Sequence, residues 1–570
     1  MWASRRVFAF GKVVMKPSLV PPSIRHTVLV FLLWIVAQFP FLASAFRIDE
    51  PYFLAVAKQI SLHPLDPYGF RINWDGTPEW AFKTSANPPL VPAYLALWQL
   101  LLPQSEVSFH CAMLPFSLLA LHAFGVMARY FKIEPLIPQA LLCGSPAFFL
   151  GSQVVMQDVP MLSLFLLAIS YATIYEETGC RVAFFIACLA AFCCPMAKYT
   201  GLVLVPVLAW LFCTARRKLG MGVIAAAPLL ALLLWNGFTW VQYGGPHFLA
   251  MAAFEKNLAV STLPWLLTKG VLASIGLGVL PISLVTFIPY VTTCRKVLLS
   301  SSLCTLPFAY WHAATGLSYG ILSSSLFALS VTLSFQLIVL TFKLGWECFK
   351  ARDQKGILLI LWILFGLAFQ GGLMFTSVRY VLFLAPPAIL LILIKSSRTP
   401  GKWILGSSLA ASFLLVISMS LGDRQIANIY RDIVSQKIAP LWQRNKGRFY
   451  FSGHWGFQYY AEKIGGEAIN KCDPPTFQSK DLLVIASSAW PDILRPRLQK
   501  GLNSQTEIEI ASPAWVVRTI GCNVGANFYA NRISGCSHPT LLPFTFTRDP
   551  SETFLFHVIR KTDKQDSFTP

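Results

Sequence analysis

The sequence predicts an all-α polytopic membrane bundle followed by a small extramembrane α/β domain at the C-terminal end. Long runs without charge recur from residue 27 to residue 421, and many of them reach the roughly 18 apolar residues that can cross a bilayer core. Of the 570 residues, 55% are hydrophobic and 13% are charged, about half the charged fraction of a soluble chain. A spanning segment must satisfy its own backbone hydrogen bonds, which favours helices for these runs.

Matching the apolar runs to the basic loops gives about thirteen spans. The expected spans are residues 27–46, 107–129, 134–151, 159–175, 182–197, 201–214, 221–243, 264–291, 298–319, 321–341, 357–376, 380–394 and 403–421. The run 88–103 is left out, because counting it as a span would move every later basic loop to the outer side. Without it those loops face the cytoplasm, as the positive-inside rule prefers. We expect 88–103 to lie in the outer membrane interface.

This topology divides the chain into three regions. Residues 1–26 form a basic cytoplasmic N-terminus, residues 27–421 the transmembrane domain with a large outer loop at 47–106, and residues 422–570 an outer domain. After residue 421, short β-type runs alternate with Pro, Gly, Asn and Ser, which is typical of a small α/β fold. The expected location is a cell inner membrane, with the N-terminus cytoplasmic and the C-terminal domain periplasmic.

Charge and cysteine usage exclude several classes of site. The net charge of +20 does not indicate a nucleic-acid partner, because much of the excess lies in short basic clusters between apolar runs. Most of the 13 cysteines lie in the apolar region, and no CxxC or Cys/His grouping indicates a metal site. We expect no cofactor. Cys522 and Cys536 fall in the outer domain, where a disulfide between them would persist.

Two acidic positions at the predicted outer rim are candidates for proton transfer. Asp49 and Glu50 directly follow the first span, and Asp158 precedes the span 159–175. A carboxylate fixed there can act as general base toward an acceptor hydroxyl. The alternative is that each acidic residue caps the helix that follows it.

Two cations are predicted on the same side. Lys198 lies between two spans at the outer edge, where the positive-inside rule does not explain a lysine, and it suits a phosphate. Arg379, followed by Tyr380, can hold a phosphate through two parallel hydrogen bonds. The alternatives are a snorkelling lysine and an interface anchor. Together, two carboxylates and two cations favour a transfer reaction with a phosphate leaving group.

The order of these motifs resembles the GT-C glycosyltransferases of glycosyltransferase family 39, which include protein O-mannosyltransferases and lipid A aminoarabinose transferases. The matching pieces follow the family's order across residues 27–421. They are Asp49-Glu50-Pro51-Tyr52, Asn87-Pro88-Pro89-Leu90, Asp158, Lys198-Tyr199-Thr200-Gly201, and Arg379-Tyr380 with Pro386. The family often has lysine or histidine before the two prolines, whereas this chain has Asn87, so no charge is carried over to that position.

The resemblance implies a GT-C-like bundle with an outer active site and an inverting transfer from a polyprenyl-phosphate sugar donor. The acceptor would be a hydroxyl of a lipid, a glycan or a protein, and membrane lipids would surround the bundle. The implied catalytic carboxylates are Asp49, Asp158 and the neighbouring Glu50. The implied residues of the donor-phosphate site are Lys198, Arg379, Tyr52, Tyr199 and Asn87.

A transporter or lipid flippase is the alternative function. Such a protein would use the same membrane-depth charges to line a substrate path. Transporters often have repeated halves with paired broken helices, and the sequence shows no such symmetry. A large early outer loop and a soluble C-terminal domain also favour an enzyme over a transporter or a structural subunit.

Overall fold

The structure is a computed structural model. It describes residues 24–258, 295–315, 320–372, 377–395, 402–490, 506–511, 517–521, 526–529, 542–548 and 552–559. The expected span 264–291 and the expected Cys522–Cys536 disulfide lie outside the described residues.

Helices dominate the described part of the chain up to residue 445. They are α1 (Ile24–Gln38), α2 (Glu50–Leu62), α3 (Ala81–Thr84), α4 (Leu90–Leu101), α5 (Glu106–Tyr130), α6 (Leu136–Cys143), α7 (Pro146–Gly151), α8 (Asp158–Thr178), α9 (Arg181–Ala197), α10 (Leu204–Thr214), α11 (Lys218–Tyr243), α12 (His247–Leu258), α13 (Arg295–Thr315), α14 (Ile321–Lys350), α15 (Gln354–Gly372), α16 (Ala385–Lys395), α17 (Lys402–Ile433) and α18 (Ala439–Asn445). Shorter turns of 3₁₀-helix cover Phe39–Phe41, Tyr199–Val203 and Val378–Leu384, and a π-helical turn covers Val434–Ile438.

The prediction of a helical membrane bundle is confirmed. Among the described residues, six helical stretches are long and apolar enough to cross a membrane: α5, α8, α11, α14, α15 and the run Leu405–Asn445. Large side chains such as Leu233 and Val241 on α11 remain exposed, at 70% and 86%, which suits a surface that faces lipid. The chain is therefore a multi-pass membrane protein. The count of thirteen spans stays a prediction.

Small residues fill the contacts between the central helices. Ala123 of α5, Ala168 of α8 and Ala187 of α9 are completely buried, and α8 packs against both of the other helices. Small side chains let helix backbones approach closely, and this close packing stabilises helix pairs in a bilayer. The N-terminal end of α8 and the C-terminal end of α9 are thereby fixed side by side.

The span expected at residues 134–151 is not a single helix. It is divided into α6 and α7, with Gly144 and Ser145 between them. Pro146 lacks a backbone N–H and therefore begins a helix more readily than it continues one. Both halves are short; α7 is buried throughout, whereas Leu136 at the start of α6 is exposed, so this region does not cross as one rod.

The helix after residue 402 does not end at residue 421, where the composition changes. It continues to Ile433 and then through a π-helical turn into α18, which ends at Asn445. Buried side chains recur with helical spacing along the continuation, at Ile426, Ala427, Tyr430 and Val434. The composition boundary therefore lies inside a helix, and the first strand of the C-terminal region begins at residue 449.

The segment 88–103 contains α4, which is 12 residues long. Such a helix rises about 18 Å, whereas the hydrocarbon core is about 30 Å thick. Its length agrees with the expectation that this segment does not cross the bilayer.

The outer loop adds one hairpin, in which β1 (Arg71–Asn73) pairs antiparallel with β2 (Pro78–Trp80).

The C-terminal region contains the further strands β3 (Phe449–Ser452), β4 (Glu467–Ala468), β5 (Leu482–Ala486), β6 (Thr506–Ala511), β7 (Val517–Arg518), β8 (Ile520–Gly521), β9 (Ala526–Asn527), β10 (Thr545–Phe546) and β11 (Glu552–Val558). Five of them form one sheet in the order β4-β3-β5-β11-β6, and helix α19 (Trp455–Lys463) follows β3. Strand β3 runs parallel to β4 and β5, while β11 runs antiparallel to β5 and β6. The expected α/β character of this region is confirmed.

The side of the membrane on which each region lies can be tested through a native cysteine. Cys472 is exposed on the C-terminal domain, and we expect a membrane-impermeant maleimide to label it in intact spheroplasts, since this domain is predicted to be outside. In a variant whose native cysteines are all replaced by serine, because Cys213 and Cys304 are also exposed, Lys350→Cys should be labelled after permeabilisation and not before it. Labelling of position 350 in intact spheroplasts would contradict the predicted topology.

Candidate active site

Asp49 occupies the position before α2, but its side chain does not cap that helix. Instead, Nη2 of Arg379 donates a hydrogen bond to Oδ2 of Asp49 at 3.1 Å. The Asp49 side chain keeps 29% of its surface exposed. The capping alternative is therefore not realised by the side chain, and this carboxylate remains accessible to a ligand.

The residue before Asp49 has an unusual backbone conformation. Ile48 has a φ of +49°, which a β-branched residue rarely adopts. Such a conformation costs about 1–3 kcal/mol and persists only where surrounding contacts impose it. The direction in which the Asp49 side chain leaves the backbone is therefore set by the loop and its neighbours.

Asp158 brings both predicted cations together. It is the first residue of α8, and Lys198 directly follows α9. Nζ of Lys198 donates to Oδ1 of Asp158 at 2.5 Å, and Nη1 of Arg379 lies 3.7 Å from Oδ2 of the same carboxylate. Asp158 therefore contacts both cations and Arg379 contacts both carboxylates. We call these four residues, Asp49, Asp158, Lys198 and Arg379, the charge cluster.

An aromatic ring that the sequence analysis did not assign to the site lies against the charge cluster. Nζ of Lys198 is 3.9 Å from the ring centroid of Tyr380, and Cζ of Arg379 is 5.2 Å from it. A cation over an aromatic face is attracted by about 0.5–2 kcal/mol, more where water is excluded. The only sequence feature that pointed to Tyr380 was its position beside Arg379, and that position had suggested an anchor at the membrane interface.

The formal charges of the cluster cancel, because it has two carboxylates and two cations. The side chains of Asp158, Lys198 and Arg379 are 7%, 9% and 12% exposed. Buried charges are stable where they are paired and hydrogen-bonded, and the observed ion pairs satisfy most of this need. Nε of Arg379 remains buried without a hydrogen-bond partner among the described residues.

Glu50 lies apart from the charge cluster and has a different environment. It is fully buried. Its Oε2 accepts from the Arg47 amide at 2.8 Å, and its Oε1 accepts from the Val155 amide at 2.9 Å and lies 3.2 Å from Nε2 of His110. Both carboxylate oxygens are thus engaged by groups that fix the backbone around Asp49. The geometry favours a positioning role over that of an accessible base.

His110 is a second residue that sequence reasoning missed. Its Nδ1 is 2.9 Å from the carbonyl oxygen of Leu42, and since a carbonyl can only accept, Nδ1 carries a hydrogen. Its Nε2 faces Oε1 of Glu50 at 3.2 Å. This pair connects α5 to the loop before α2. The sequence separation of 60 residues left no local pattern that could have revealed it.

The other residues expected at the donor site make hydrogen bonds within the loop 47–106 or between that loop and the turn after Lys198. The Tyr52 hydroxyl donates to the Ala81 carbonyl at 3.2 Å, and burial raises the pKa of Tyr52. Oδ1 of Asn87 accepts from the Tyr199 amide at 3.3 Å. These contacts connect α2, the segment before α4 and the turn after Lys198. Roles of Tyr52, Tyr199 and Asn87 in donor binding stay predictions.

Tyr199 belongs to a buried aromatic group beside the charge cluster. Its hydroxyl is 2.7 Å from Nδ1 of His247 and accepts from Nε1 of Trp235 at 3.1 Å. Burial lowers the pKa of His247 to about 4, so this histidine is neutral at physiological pH. The group therefore adds no charge next to Lys198.

An apolar cavity of about 300 Å³ lies on the side of α9 where Lys198 follows the helix. Its lining includes Ile60, Pro89, Phe192, Met196, Trp235 and Phe238. Met196 is two residues from Lys198 in the chain. The cavity therefore reaches the last turn of α9, while Lys198 itself does not line it.

Comparisons with known proteins give similarities to solved structures. No known protein-family model and no curated protein matches the chain. ArnT from Cupriavidus metallidurans bound to undecaprenyl phosphate aligns with 94% of this chain and 98% of its own, at 11% identity and a TM-score of 0.38. Its apo state aligns with 85% of this chain and 96% of its own, at 12% identity and a TM-score of 0.40.

The Archaeoglobus fulgidus oligosaccharyltransferase in the apo form aligns with 78% of this chain and 64% of its own, at 10% identity and a TM-score of 0.41. Similarities of this size carry no argument about chemistry. The functional interpretation therefore rests on the residues of the charge cluster.

The different environments of Asp49 and Glu50 can be tested by stability. Glu50→Ala leaves two backbone amides and His110 without their acceptor, and each buried donor left unpaired costs about 1–3 kcal/mol. We expect its apparent melting temperature to fall by several degrees in a fluorescence-detected size-exclusion assay. Asp49→Asn should melt close to the wild type, since its side chain is partly exposed. Equal losses in both variants would contradict the distinction.

Proposed function

We propose that the chain is a membrane glycosyltransferase that moves a sugar from a polyprenyl-phosphate donor to an acceptor hydroxyl on the outer face of the membrane. The observation that carries the proposal is the charge cluster, in which Arg379 lies 3.1 Å from Asp49 and 3.7 Å from Asp158. It combines a partly exposed carboxylate, Asp49, with the adjacent Arg379 and with Lys198, which is paired with the other carboxylate. This combination supplies a proton acceptor and a site for a phosphate leaving group.

Asp49 is the proposed general base. The acceptor hydroxyl oxygen attacks the anomeric carbon of the donor while the bond from that carbon to the phosphate oxygen breaks. Asp49 takes the hydroxyl proton, so the new glycosidic oxygen is neutral. Attack from the side opposite the phosphate inverts the anomeric carbon.

Arg379 and Lys198 are proposed to stabilise the leaving group. The phosphate keeps the electron pair of the broken bond and departs as polyprenyl phosphate with an additional negative charge. Cations held in a site from which water is largely excluded stabilise such developing charge more strongly than they would in water. Their low exposure, 12% and 9%, supports this role.

The cancelling charges of the cluster define the role proposed for Asp158. A donor phosphate that entered without any rearrangement would leave the cluster with net negative charge. Asp158 contacts both cations through one carboxylate, at 2.5 Å and 3.7 Å. We therefore assign it as a counter-ion that keeps Lys198 and Arg379 in place before the phosphate arrives and competes with it for them.

The apolar cavity beside α9 supports a lipid-linked donor. A soluble sugar nucleotide would not require a hydrocarbon surface. A polyprenyl phosphate carries an apolar chain directly attached to its phosphate. An apolar cavity at the last turn of α9, the helix that leads to Lys198, suits such a molecule.

The role of Asp49 is tested by turnover in proteoliposomes. Purified protein is given a panel of undecaprenyl-phosphate monosaccharides and a membrane extract as acceptor source, and release of undecaprenyl phosphate is measured. Asp49→Asn should lower turnover by at least about a hundredfold, within the range for loss of a general base, while binding of undecaprenyl phosphate is retained. Glu79→Gln, which removes an exposed carboxylate of the outer loop, is the matched control.

Two outcomes would decide against this assignment. Normal turnover in Asp49→Asn with loss of turnover in Glu50→Gln, in protein of normal stability, would move the base to Glu50. Movement of the undecaprenyl-phosphate sugar across the bilayer without release of undecaprenyl phosphate would favour the flippase alternative.

The counter-ion role of Asp158 predicts an increase in affinity. Asp158→Asn removes a negative charge that competes with the donor phosphate, and we expect undecaprenyl phosphate to bind roughly tenfold more tightly, which corresponds to about 1.4 kcal/mol. Lys198→Ala should weaken binding because a phosphate contact is lost. Lys83→Ala, at an exposed lysine, is the control. Weaker binding by Asp158→Asn would show that this carboxylate itself contributes to donor binding.

A further inference from the structure

The backbone that leads to Asp49 is held by side chains rather than by regular secondary structure. Residues 44–47 belong to no helix or strand, yet three successive amides in this segment are hydrogen-bonded. The pairs are the Ala45 amide with Oδ1 of Asn428 at 3.0 Å, the Phe46 amide with the Tyr460 hydroxyl at 2.9 Å, and the Arg47 amide with Oε2 of Glu50 at 2.8 Å. Two of the three acceptors belong to residues after 421, on α17 and on α19.

The side chain of Arg47 makes another contact with the C-terminal region. It is buried, and its guanidinium lies 3.5 Å from Oδ2 of Asp423. Asp423 in turn accepts hydrogen bonds from the hydroxyls of Thr519 and Tyr529. Arg47 is two residues before Asp49, so this network connects residues beside the short strands β7, β8 and β9 to the loop that carries the proposed base.

Helix α19 touches the same loop through its backbone. A Cβ atom on Gly456 would lie 2.1 Å from the carbonyl oxygen of Phe46, so this contact requires glycine. The other partner of the Asp49 ion pair is held from the same region, because the Arg379 amide donates to the carbonyl oxygen of Phe528 at 3.4 Å. The C-terminal region therefore contacts the chain beside both residues of the pair.

We propose that the C-terminal domain positions Asp49 and Arg379 against each other, and that Tyr460 is the positioning residue that acts on the Asp49 loop. The inference rests on the proposed glycosyl transfer. Ile48 is strained, so the loop keeps its shape only while its neighbours impose it. Releasing the Phe46 amide lets the loop relax, and a misplacement of about 1 Å at a reacting group can cost roughly a hundredfold in rate.

Tyr460→Phe tests this role with a matched control at the adjacent residue. The Tyr459 ring also contacts Phe46, with centroids 5.0 Å apart, but its hydroxyl makes no hydrogen bond to the described residues. Tyr459→Phe therefore removes a hydroxyl of the same kind without releasing the loop. Because the Tyr460 hydroxyl also donates to Glu106 at 3.0 Å, Glu106→Ala, which removes the acceptor, shows whether an effect comes from that second contact.

Two measurements are made on the full-length protein in proteoliposomes. Hydrogen–deuterium exchange of peptides covering residues 44–50 reports on the loop directly. Release of undecaprenyl phosphate from the donor panel, with the affinity for undecaprenyl phosphate, separates kcat from donor binding. In Tyr460→Phe we expect faster exchange of the loop and a kcat reduced roughly tenfold or more, within the reach of misplacement effects, at unchanged affinity.

The outcomes separate this inference from the proposed function. Exchange in Tyr460→Phe equal to that of Tyr459→Phe overturns the positioning role, as does faster exchange with unchanged kcat. The same kcat loss in Glu106→Ala would transfer the effect to α5 and also overturn it. If the wild type releases undecaprenyl phosphate from no donor, the proposed function fails, while the exchange data still decide whether Tyr460 holds the loop.

Discussion

The double ion pair of Arg379 is the interaction on which the site depends. A buried guanidinium is stable only when acceptors surround it, and Arg379 finds them in Asp49 and Asp158. These three residues come from the start of the outer loop, the start of α8 and the turn after α15. The helices must therefore meet at their ends in one arrangement, and the small residues between α5, α8 and α9 allow it by letting those helices approach closely.

Two adjacent carboxylates have different environments because a helix begins between them. Successive residues of an α-helix point about 100° apart, so Asp49 and Glu50 cannot face the same neighbours. Glu50 is directed inward to His110 and to two amides, where it fixes the loop. Asp49 is left partly exposed beside Arg379. The strained Ile48 contributes to this division, since it turns the chain just before the helix starts.

The sequence predicted that the four residues of the charge cluster lie on one face, but it did not predict the residues that hold them in place. The distribution of basic loops predicted that all four charged residues lie on the same side of the membrane. Residues at the ends of neighbouring helices on one side of a bundle can contact each other. The contacts of His110 with Glu50 and of Tyr460 with Phe46 span 60 and 414 residues, and no local pattern encodes such pairings. Two other features could have been predicted from the sequence. Pro146 indicates the break between α6 and α7, and the helical spacing of apolar residues after residue 421 indicates that α17 continues.

The exposure of the two carboxylates and the backbone contact of Arg379 together indicate how the charge cluster responds to a donor. Arg379 is held through its own amide by Phe528, so its backbone is not free to follow an incoming phosphate. The Asp49 side chain is 29% exposed and that of Asp158 is 7% exposed, and water can replace the ion pair of the more exposed carboxylate at lower cost. Under the proposed mechanism a phosphate at Arg379 therefore displaces Asp49 first. The released Asp49 carboxylate would then face the bound donor, where it can accept the proton of the acceptor hydroxyl.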